Sequence, residues 1–157
     1  MTTRQITLER TYDAPIDVIW DLWTTKAGIE SWWGPDGFFV TVRTIDLRVG
    51  GGMAYGMTAS APEQVAFMKS HGLSLTTETR IQYTDVSRPR RLAYQNVVDF
   101  VPGVDTYEVG TVVELHPTPT GTRLVLTIDA MHDETWTGRA VMGWEMELGK
   151  LTKVLPK

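Results

Sequence analysis

Cysteine is absent from this chain of 157 residues, and its absence removes several classes of function at once. Without thiols the protein cannot form disulfide bonds, use a cysteine nucleophile or hold a metal ion through thiolates. Positive charge is also scarce, because 15 Lys and Arg residues face 19 Asp and Glu residues and leave a formal net charge of -4. The single basic run is RPRR at residues 88–91. We therefore expect no nucleic-acid partner.

Long hydrophobic runs are missing as well. The first ten residues, MTTRQITLER, contain no apolar region of the kind found in a signal peptide, and no later stretch approaches the length that spans a bilayer. The sequence therefore predicts a cytoplasmic protein with no membrane insertion. Hydrophobic residues make up 42% of the chain and charged residues 22%, which is typical of a globular protein, and the length fits a single domain over residues 1–157.

Motifs of the common cofactor and catalytic sites are not found. The chain has no G-x-S-x-G nucleophile motif, phosphate-binding loop or dinucleotide fingerprint. Its three histidines, His71, His116 and His132, are not spaced as metal ligands on one helix, and no carboxylate-rich loop accompanies them. The sequence thus predicts neither a cofactor nor a metal site.

What the chain contains is a regular succession of strand and helix patterns. Two helical segments, DAPIDVIWDLWTT and KAGIESWW, follow the first strand, and a further helix at residues 61–71 is inserted between the third and fourth strands. Sequential strands joined by tight turns predict an antiparallel sheet, so the predicted fold class is α+β. The alternation of apolar and polar residues predicts about seven strands: RQITLERTY, FFVTVRTIDLRV, MAYGM, ETRIQYTDV, RLAYQNVVDF, TYEVGTVVEL and TRLVLTIDAM.

The last segment predicts one long amphipathic helix that packs on the sheet. Asp133 is expected to cap its N-terminus. Gly138, Gly143 and Gly149 each cost about 1 kcal/mol relative to alanine inside a helix. They are tolerable if the sheet approaches closely there, or if space is needed there. The apolar face recurs at three and four residues through Trp136, Ala140, Trp144, Leu148, Leu151 and Leu155.

Six short segments in a fixed order give the sequence a recognisable pattern. They are APIDVIW, WWGPDGF, DLRVGG, RPRRLAY, GTRLVLT and GWEMELGKL, and they run from Ala14 to Leu151. In order and spacing they resemble the activator-of-heat-shock-protein-ATPase homologue family of the START-like superfamily, also called SRPBCC or birch-pollen-allergen-like. The resemblance implies a bacterial-type stand-alone domain with a helix-grip fold, in which a curved antiparallel sheet wraps around the C-terminal helix and encloses a cavity.

Two segments depart from the shorter pattern of this family. They are the helix at residues 61–71 and the segment at residues 99–109. Ser60 and Glu63 have capping-box spacing at the start of the helix, and Gly72 stands just past its end. We expect both segments to be additions at the strand ends, where the mouth of the cavity would be, and we expect the helix to act as a lid.

The double tryptophan before Gly34 and Pro35 is the first candidate for the cavity wall. In extended backbone, the side chains of Trp32 and Trp33 point to opposite sides. We expect Trp33 to face the cavity and Trp32 to be buried beneath the first helix. The alternative is that both rings are core residues, because aromatic side chains bury large areas whatever their function.

Ligand binding is predicted for a wider set of aromatic and apolar side chains. Tyrosines at alternating strand positions each offer a flat apolar ring and one hydroxyl, which suits a pocket. His71, at the end of the inserted helix, is the candidate catalytic residue, although a histidine there also suits the helix dipole. The predicted ligand-binding residues are Trp33, Tyr55, Met68, Tyr83, Tyr94, Phe100, Tyr107, Trp136 and Ala140.

The residues and the resemblance together give three hypotheses for the function. The first is the binding of a small apolar or aromatic molecule in a cavity between the sheet and the C-terminal helix, because members of the superfamily bind lipids, sterols and polyketides. The second is an enzyme of the cyclase, dehydratase or hydrolase type that uses general acid–base residues in the same cavity. The third is an interaction module like the chaperone-ATPase activator. A homodimer is left open as the assembly.

Overall fold

The computed structural model describes residues 4–99, 101 and 103–155. Phe100, one of the predicted ligand-binding residues, lies outside the described residues. Within the described part of the chain there are seven strands and four helices. In chain order they are β1 (Gln5–Tyr12), α1 (Ile16–Thr24), α2 (Lys26–Trp32), β2 (Phe38–Ile45), β3 (Gly52–Ala59), α3 (Pro62–Ser70), β4 (Thr76–Ser87), β5 (Arg91–Val98), β6 (Tyr107–Thr118), β7 (Gly121–Asp129) and α4 (Glu134–Val154).

The strands form one antiparallel sheet in the order β1-β7-β6-β5-β4-β3-β2. Strands that follow one another from β2 to β7 pair directly, as their short connections favour, while α1 and α2 carry the chain from β1 to the opposite edge. Register shifts between Val42 and Thr44 and between Tyr83 and Asp85 interrupt the ladders, and such irregularities bend strands. The predicted α+β helix-grip fold, with a curved seven-stranded sheet and a C-terminal helix, is confirmed.

The two faces of the sheet differ in character. One face is packed, and on it α1, α2 and α4 join the strands in a single hydrophobic core. The Trp23 ring at the centre of this core lies 4.7 Å from the Trp32 ring and 5.7 Å from the Trp144 ring, centroid to centroid. The opposite face carries charged side chains such as Arg123, whose guanidinium lies 2.8 Å from the Glu9 carboxylate. The packed face is therefore where a cavity has to be sought.

The beginning of α4 confirms the predicted cap. The Asp133 side chain accepts a hydrogen bond of 2.8 Å from the backbone N–H of Trp136 and so satisfies one of the free donors at the start of the helix. From there α4 runs for 21 residues to Val154. Among the described helices, none combines the length and the apolar character that crossing a bilayer requires.

The inserted helix α3 forms, but it is capped differently from the prediction. Its N-cap is Ala61, and no side chain caps the helix, so the predicted capping box is wrong. The Ser60 hydroxyl instead donates to the Gly37 carbonyl at 3.2 Å. Gly72, with a φ of +67°, follows the end of the helix as predicted. No side chain of α3 is buried, so the helix lies on the surface next to β3.

Strand direction places the connections at two different ends of the sheet. The tight connections β2–β3, β4–β5 and β6–β7 share one end. The inserted α3, the β5–β6 connection and residues 130–133 follow β3, β5 and β7, so they share the other end, together with the start of α4. We call this second end the open end, because it carries the longer connections.

Candidate functional site

A partly open cavity separates α4 from the packed face of the sheet. It has two adjoining regions of about 360 Å³ and about 370 Å³, whose walls share several residues. The first region lies over strands β3 to β7, and the second runs along α4 to Trp33 and Pro35. The residues common to both regions are Tyr55, Met57, Asn96, Met131, Ala140 and Trp144.

The two neighbouring tryptophans both belong to the hydrophobic core, and Trp33 also lines the cavity. Trp32 ends α2 and is 0% exposed, and its indole N–H donates to the Leu22 carbonyl at 2.7 Å. Trp33 has left the helix, with φ -66° and ψ 143°, so its side chain takes another direction. It is 5% exposed and lines the second region, where its ring centroid lies 5.9 Å from that of Trp144.

The turn after Trp33 is fastened to α4 by two side chains. Gly34 has a φ of +99°, a backbone conformation that strongly favours glycine. Its N–H donates to Glu147 Oε1 at 2.7 Å, and its carbonyl accepts from Lys150 Nζ at 2.8 Å. Residues three apart lie on the same face of a helix, so one face of α4 holds both polar groups of this peptide.

Glu147 is the buried carboxyl group of the cavity wall. It is 9% exposed and lines the second region. Burial raises its pKa to about 7, although the Gly34 N–H and the positive charge of Lys150 favour the ionised form. The second carboxyl oxygen, Oε2, has no hydrogen-bond or salt-bridge partner among the described residues. The group can therefore accept a hydrogen bond from a molecule in the cavity, or exchange a proton with it near neutral pH.

Asn96 and Tyr55 supply two further polar groups in both regions of the cavity. The side-chain oxygen of Asn96 is buried and lacks a hydrogen-bond partner among the described residues, which is costly unless a water or ligand satisfies it. Burial raises the pKa of Tyr55 to about 12; the Trp33 side chain opposes this shift and the negative charge of Glu147 adds to it. At neutral pH the Tyr55 hydroxyl is therefore a neutral donor.

The glycines of α4 show where the helix leaves space. Around each of Gly138, Gly143 and Gly149, no atom other than those of the adjacent residues and the backbone of the same helix lies within 4 Å of the position that an added Cβ would occupy. Close approach of the sheet therefore does not account for these glycines. Gly143 lines the second region, whereas Gly138 and Gly149 are exposed. Only at Gly143 does the missing side chain enlarge the cavity.

The remaining predicted binding residues occupy several different places. Trp136 lines the second region, and Ala140 lines both. Tyr83 and Tyr94 face each other across β4 and β5, are almost fully buried and belong to neither wall. The hydroxyl of Tyr107 hydrogen-bonds to Nδ1 of His132 at 2.6 Å, just before the start of α4.

The residues predicted on or beside α3 lie away from both cavity walls. Met68 is half-buried and lines neither region. His71 is exposed at the C-terminal end of α3, where its ring lies 4.2 Å from the Phe67 ring, centroid to centroid. Its Nδ1 lies 2.9 Å from the Phe67 carbonyl oxygen. The histidine lines neither region of the cavity, and its catalytic role stays a prediction.

Comparison with known proteins shows the family of this chain. The family model described as activator of Hsp90 ATPase homolog 1-like protein matches residues 13–156. The chain belongs to this family. The predicted resemblance is therefore confirmed, and the fold is consistent with the START-like superfamily. No curated protein matches the chain.

Solved structures of similar fold support this assignment at the level of architecture. Protein CV1439 from Chromobacterium violaceum has a TM-score of 0.77 at 19% identity, over 98% of this chain and 99% of that one. The AHSA1 protein from Silicibacter pomeroyi has a TM-score of 0.73 at 21% identity, over 96% of each chain. The AHSA1-like protein from Aeromonas hydrophila has a TM-score of 0.73 at 22% identity, over 96% of this chain and 90% of that one. At these identities the likeness concerns the fold alone.

Two polar residues of the cavity wall, Glu147 and Asn96, were not predicted from the sequence. Glu147 lies three residues after Trp144 and four before Leu151, so it stands on the apolar stripe of α4. A carboxylate on this otherwise apolar face of the helix was the signal that could have identified Glu147. Asn96 lies two residues after Tyr94 and so shares its face of the strand, where an amide among apolar neighbours gave a similar but weaker signal.

Proposed function

We propose that the protein binds a small apolar or aromatic molecule in the cavity between the sheet and α4. The observation that carries the proposal is a cavity whose regions of about 360 and 370 Å³ are walled by Trp33, Tyr55, Met57 and Trp144. Ligand pockets typically have volumes of about 300–1,000 Å³ and mostly apolar walls with a few placed polar groups. The START-like fold commonly binds ligands.

The polar groups of the wall would orient such a molecule. The unpartnered Asn96 oxygen accepts a hydrogen bond, the Tyr55 hydroxyl donates one, and the free oxygen of Glu147 accepts one or carries charge. A molecule with an aromatic body and one polar end satisfies these groups and releases water from the indole and methionine surfaces. The release of water from apolar walls is the main favourable contribution.

A fluorescence titration with N-phenyl-1-naphthylamine, a neutral aromatic probe, tests the proposal. The matched variants are Gly143→Leu, which places a side chain in the second region, and Gly138→Leu, which places it in solvent on the same helix. We expect Gly143→Leu to weaken probe binding by about tenfold or more, corresponding to the loss of about 1.4 kcal/mol of binding free energy. Gly138→Leu should leave it unchanged. Equal affinity in both variants would contradict binding in the cavity.

A general acid–base enzyme in the same cavity is a second candidate. The observation in its favour is the buried Glu147 carboxyl group with a pKa of about 7, beside the Tyr55 hydroxyl. A cyclase, dehydratase or hydrolase would need this carboxyl for turnover. Glu147→Gln would then abolish turnover of a candidate substrate while the probe still binds. If the variant turned over substrate at the native rate, the enzyme proposal would fail.

Four expectations from the sequence stay predictions. They are an interaction module like the chaperone-ATPase activator, a homodimer, a cytoplasmic location and a single domain over residues 1–157. The printed name of the family refers to activation of a chaperone ATPase.

A further inference from the structure

We infer that the cavity prefers ligands with a protonated amine, which pairs with the carboxylate of Glu147 beside the indole rings of Trp33 and Trp144. This inference rests on the proposed function and deepens it by naming the chemical class of the ligand. It describes an aromatic or apolar body that ends in an ammonium group. The geometry of the carboxyl group, its lack of a salt bridge and the aromatic wall each contribute one step.

The first step is the fixed position of the carboxyl group. Oε1 accepts the Gly34 N–H at 2.7 Å, so one oxygen is held by the backbone of the turn. Oε2 has no partner among the described residues, and Glu147 lines the second region of the cavity. The side chain thus presents one anchored and one available oxygen. This arrangement is suited to a charge-assisted hydrogen bond with a donor in the cavity.

The second step is that no cation among the described residues forms a salt bridge with Glu147, although the positive charge of Lys150 acts on it from a greater distance. Lys150 donates its hydrogen bond to the Gly34 carbonyl, and its ammonium group lies outside salt-bridge distance of Glu147. The Arg139 guanidinium lies over the Trp136 ring, 4.8 Å from the ring centroid. A buried carboxylate normally has a paired cation. Here the cavity leaves room for that cation to come from the ligand.

The third step is the aromatic wall around the carboxyl group. Trp33, Tyr55, Trp136 and Trp144 line the same region as Glu147. The centroids of the Trp33 and Trp144 rings are 5.9 Å apart, and the ring planes are 74° from parallel, so an edge and a face meet there. Faces of indole rings attract ammonium groups through their quadrupole. A carboxylate within such a wall favours an organic cation over an anion.

The charged and titratable groups around Glu147 define how binding should depend on pH. Lys150 and Arg139 lie on the same helix, Tyr55 faces the carboxyl from β3, and Tyr94 interacts with it from β5. Burial raises the pKa of both tyrosines, to about 12 for Tyr55, so they stay neutral near pH 7. Glu147, with a pKa of about 7, is then the group that changes charge in this range. Amine binding should favour its ionised form and release a proton.

The test compares 1-naphthylmethylamine with 1-naphthalenemethanol, which share one ring system and differ in charge. The amine remains protonated from about pH 5.5 to about pH 8, because alkyl ammonium groups lose their proton at higher pH. Calorimetric titration of the native protein should show about tenfold tighter binding of the amine at about pH 8. This preference should shrink toward about pH 5.5, as Glu147 becomes protonated.

The matched variant is Glu147→Gln, which keeps an oxygen for the Gly34 N–H but cannot ionise. It should lose both the preference for the amine over the alcohol and the pH dependence of that preference. If the variant does not fold, the pH dependence of amine and alcohol binding to the native protein tests the inference by itself. Equal binding of amine and alcohol at every pH would overturn the inference and leave the proposed function standing. Failure of both probes, and of the neutral N-phenyl-1-naphthylamine, would overturn the proposed function and the inference together.

Discussion

Glu147 fastens the turn after α2 to the last helix and at the same time brings an ionisable group into the cavity. These two roles oppose each other energetically. The hydrogen bond from Gly34 favours the ionised carboxylate, whereas burial disfavours it more strongly and raises the pKa to about 7. A protein gains nothing in stability at neutral pH from such a group. This cost is understandable if the group serves a ligand.

The titration of Glu147 predicts a specific loss of stability with rising pH. Its pKa in the folded state, about 7, lies above its ordinary value of 4.5, so the folded state holds the proton longer than the unfolded state. The free energy of unfolding should therefore fall by about 3 kcal/mol as the pH rises from 4.5 to about 7. Urea unfolding across this range measures the fall, and Glu147→Gln should lack it. If the free energy of unfolding fell equally in the native protein and in Glu147→Gln, groups other than Glu147 would cause the pH dependence.

The two neighbouring tryptophans should respond differently to truncation. Trp32 is 0% exposed and its indole N–H is bonded to a carbonyl, so Trp32→Ala should cost about 3–5 kcal/mol of stability. Trp33→Ala should cost less, because its ring borders a cavity, but it should weaken binding of the naphthyl probe. Trp33→Phe should restore most of the binding. Denaturant midpoints and fluorescence titrations provide the measurements. Similar destabilisation with unchanged probe affinity would make both rings purely structural.

At the scale of the secondary-structure elements, the cavity depends on how α4 meets the sheet. The C-terminal half of the helix is tightly packed through Leu148 and Leu151, which are fully buried. Toward its N-terminus the helix faces the cavity through Ala140, Gly143 and Trp144. Small residues and a half-buried tryptophan leave space there. The C-terminal half of the helix thus packs into the core, and the part toward its N-terminus lines the cavity.

The inserted helix α3 should be dispensable for folding and should influence the entry of ligand. No side chain of α3 is buried, and the Ala59 N–H bonds to the Leu75 carbonyl, so the strand ends on either side of it already meet. Replacing residues 61–72 with a short Gly-Ser linker should leave the denaturant midpoint nearly unchanged. Stopped-flow fluorescence with N-phenyl-1-naphthylamine should show altered association and dissociation rates. An unfolded deletion variant would instead make α3 part of the core.

At the scale of the whole molecule, the two ends of the sheet differ in the length of their connections. The tight connections lie at one end, and α3, the β5–β6 connection and residues 130–133 lie at the other. The first region of the cavity reaches this open end through Thr77, Val98 and Met131. Of the two segments that depart from the shorter family pattern, the helix at residues 61–71 lines neither region of the cavity, whereas Val109 at the end of the other segment lines the first region. The role of the helix as a lid stays a prediction.

Ligand binding should stabilise the whole fold, because the cavity is built from both the sheet and α4. A probe that binds only the folded state at a hundred times its dissociation constant adds about 2.7 kcal/mol to the free energy of unfolding. A thermal unfolding series with increasing N-phenyl-1-naphthylamine measures this effect. The cavity-filled Gly143→Leu variant should show a much smaller shift than Gly138→Leu. Equal shifts in both variants would place the probe elsewhere on the molecule.

The sequence by itself determined the elements and the family. Strand alternation, the Asp133 cap and the apolar stripe of α4 act over a few residues, so they can be read without knowing the fold. The ordered segments from Ala14 to Leu151 also identified the helix-grip architecture. The capping box at Ser60 is the local prediction that failed, because its hydroxyl bonds instead to Gly37, 23 residues away along the chain.

Only the tertiary structure decided which side chains meet in the cavity. Glu147 and Gly34 are 113 residues apart in the chain, and no local pattern relates them. Alternation put Tyr55, Tyr83 and Tyr94 on strands and predicted all three in the cavity wall, but of them only Tyr55 lines the two regions. That choice depends on the bend of the sheet and on its distance from α4. Both are set by the long-range packing of large side chains, to which every element contributes.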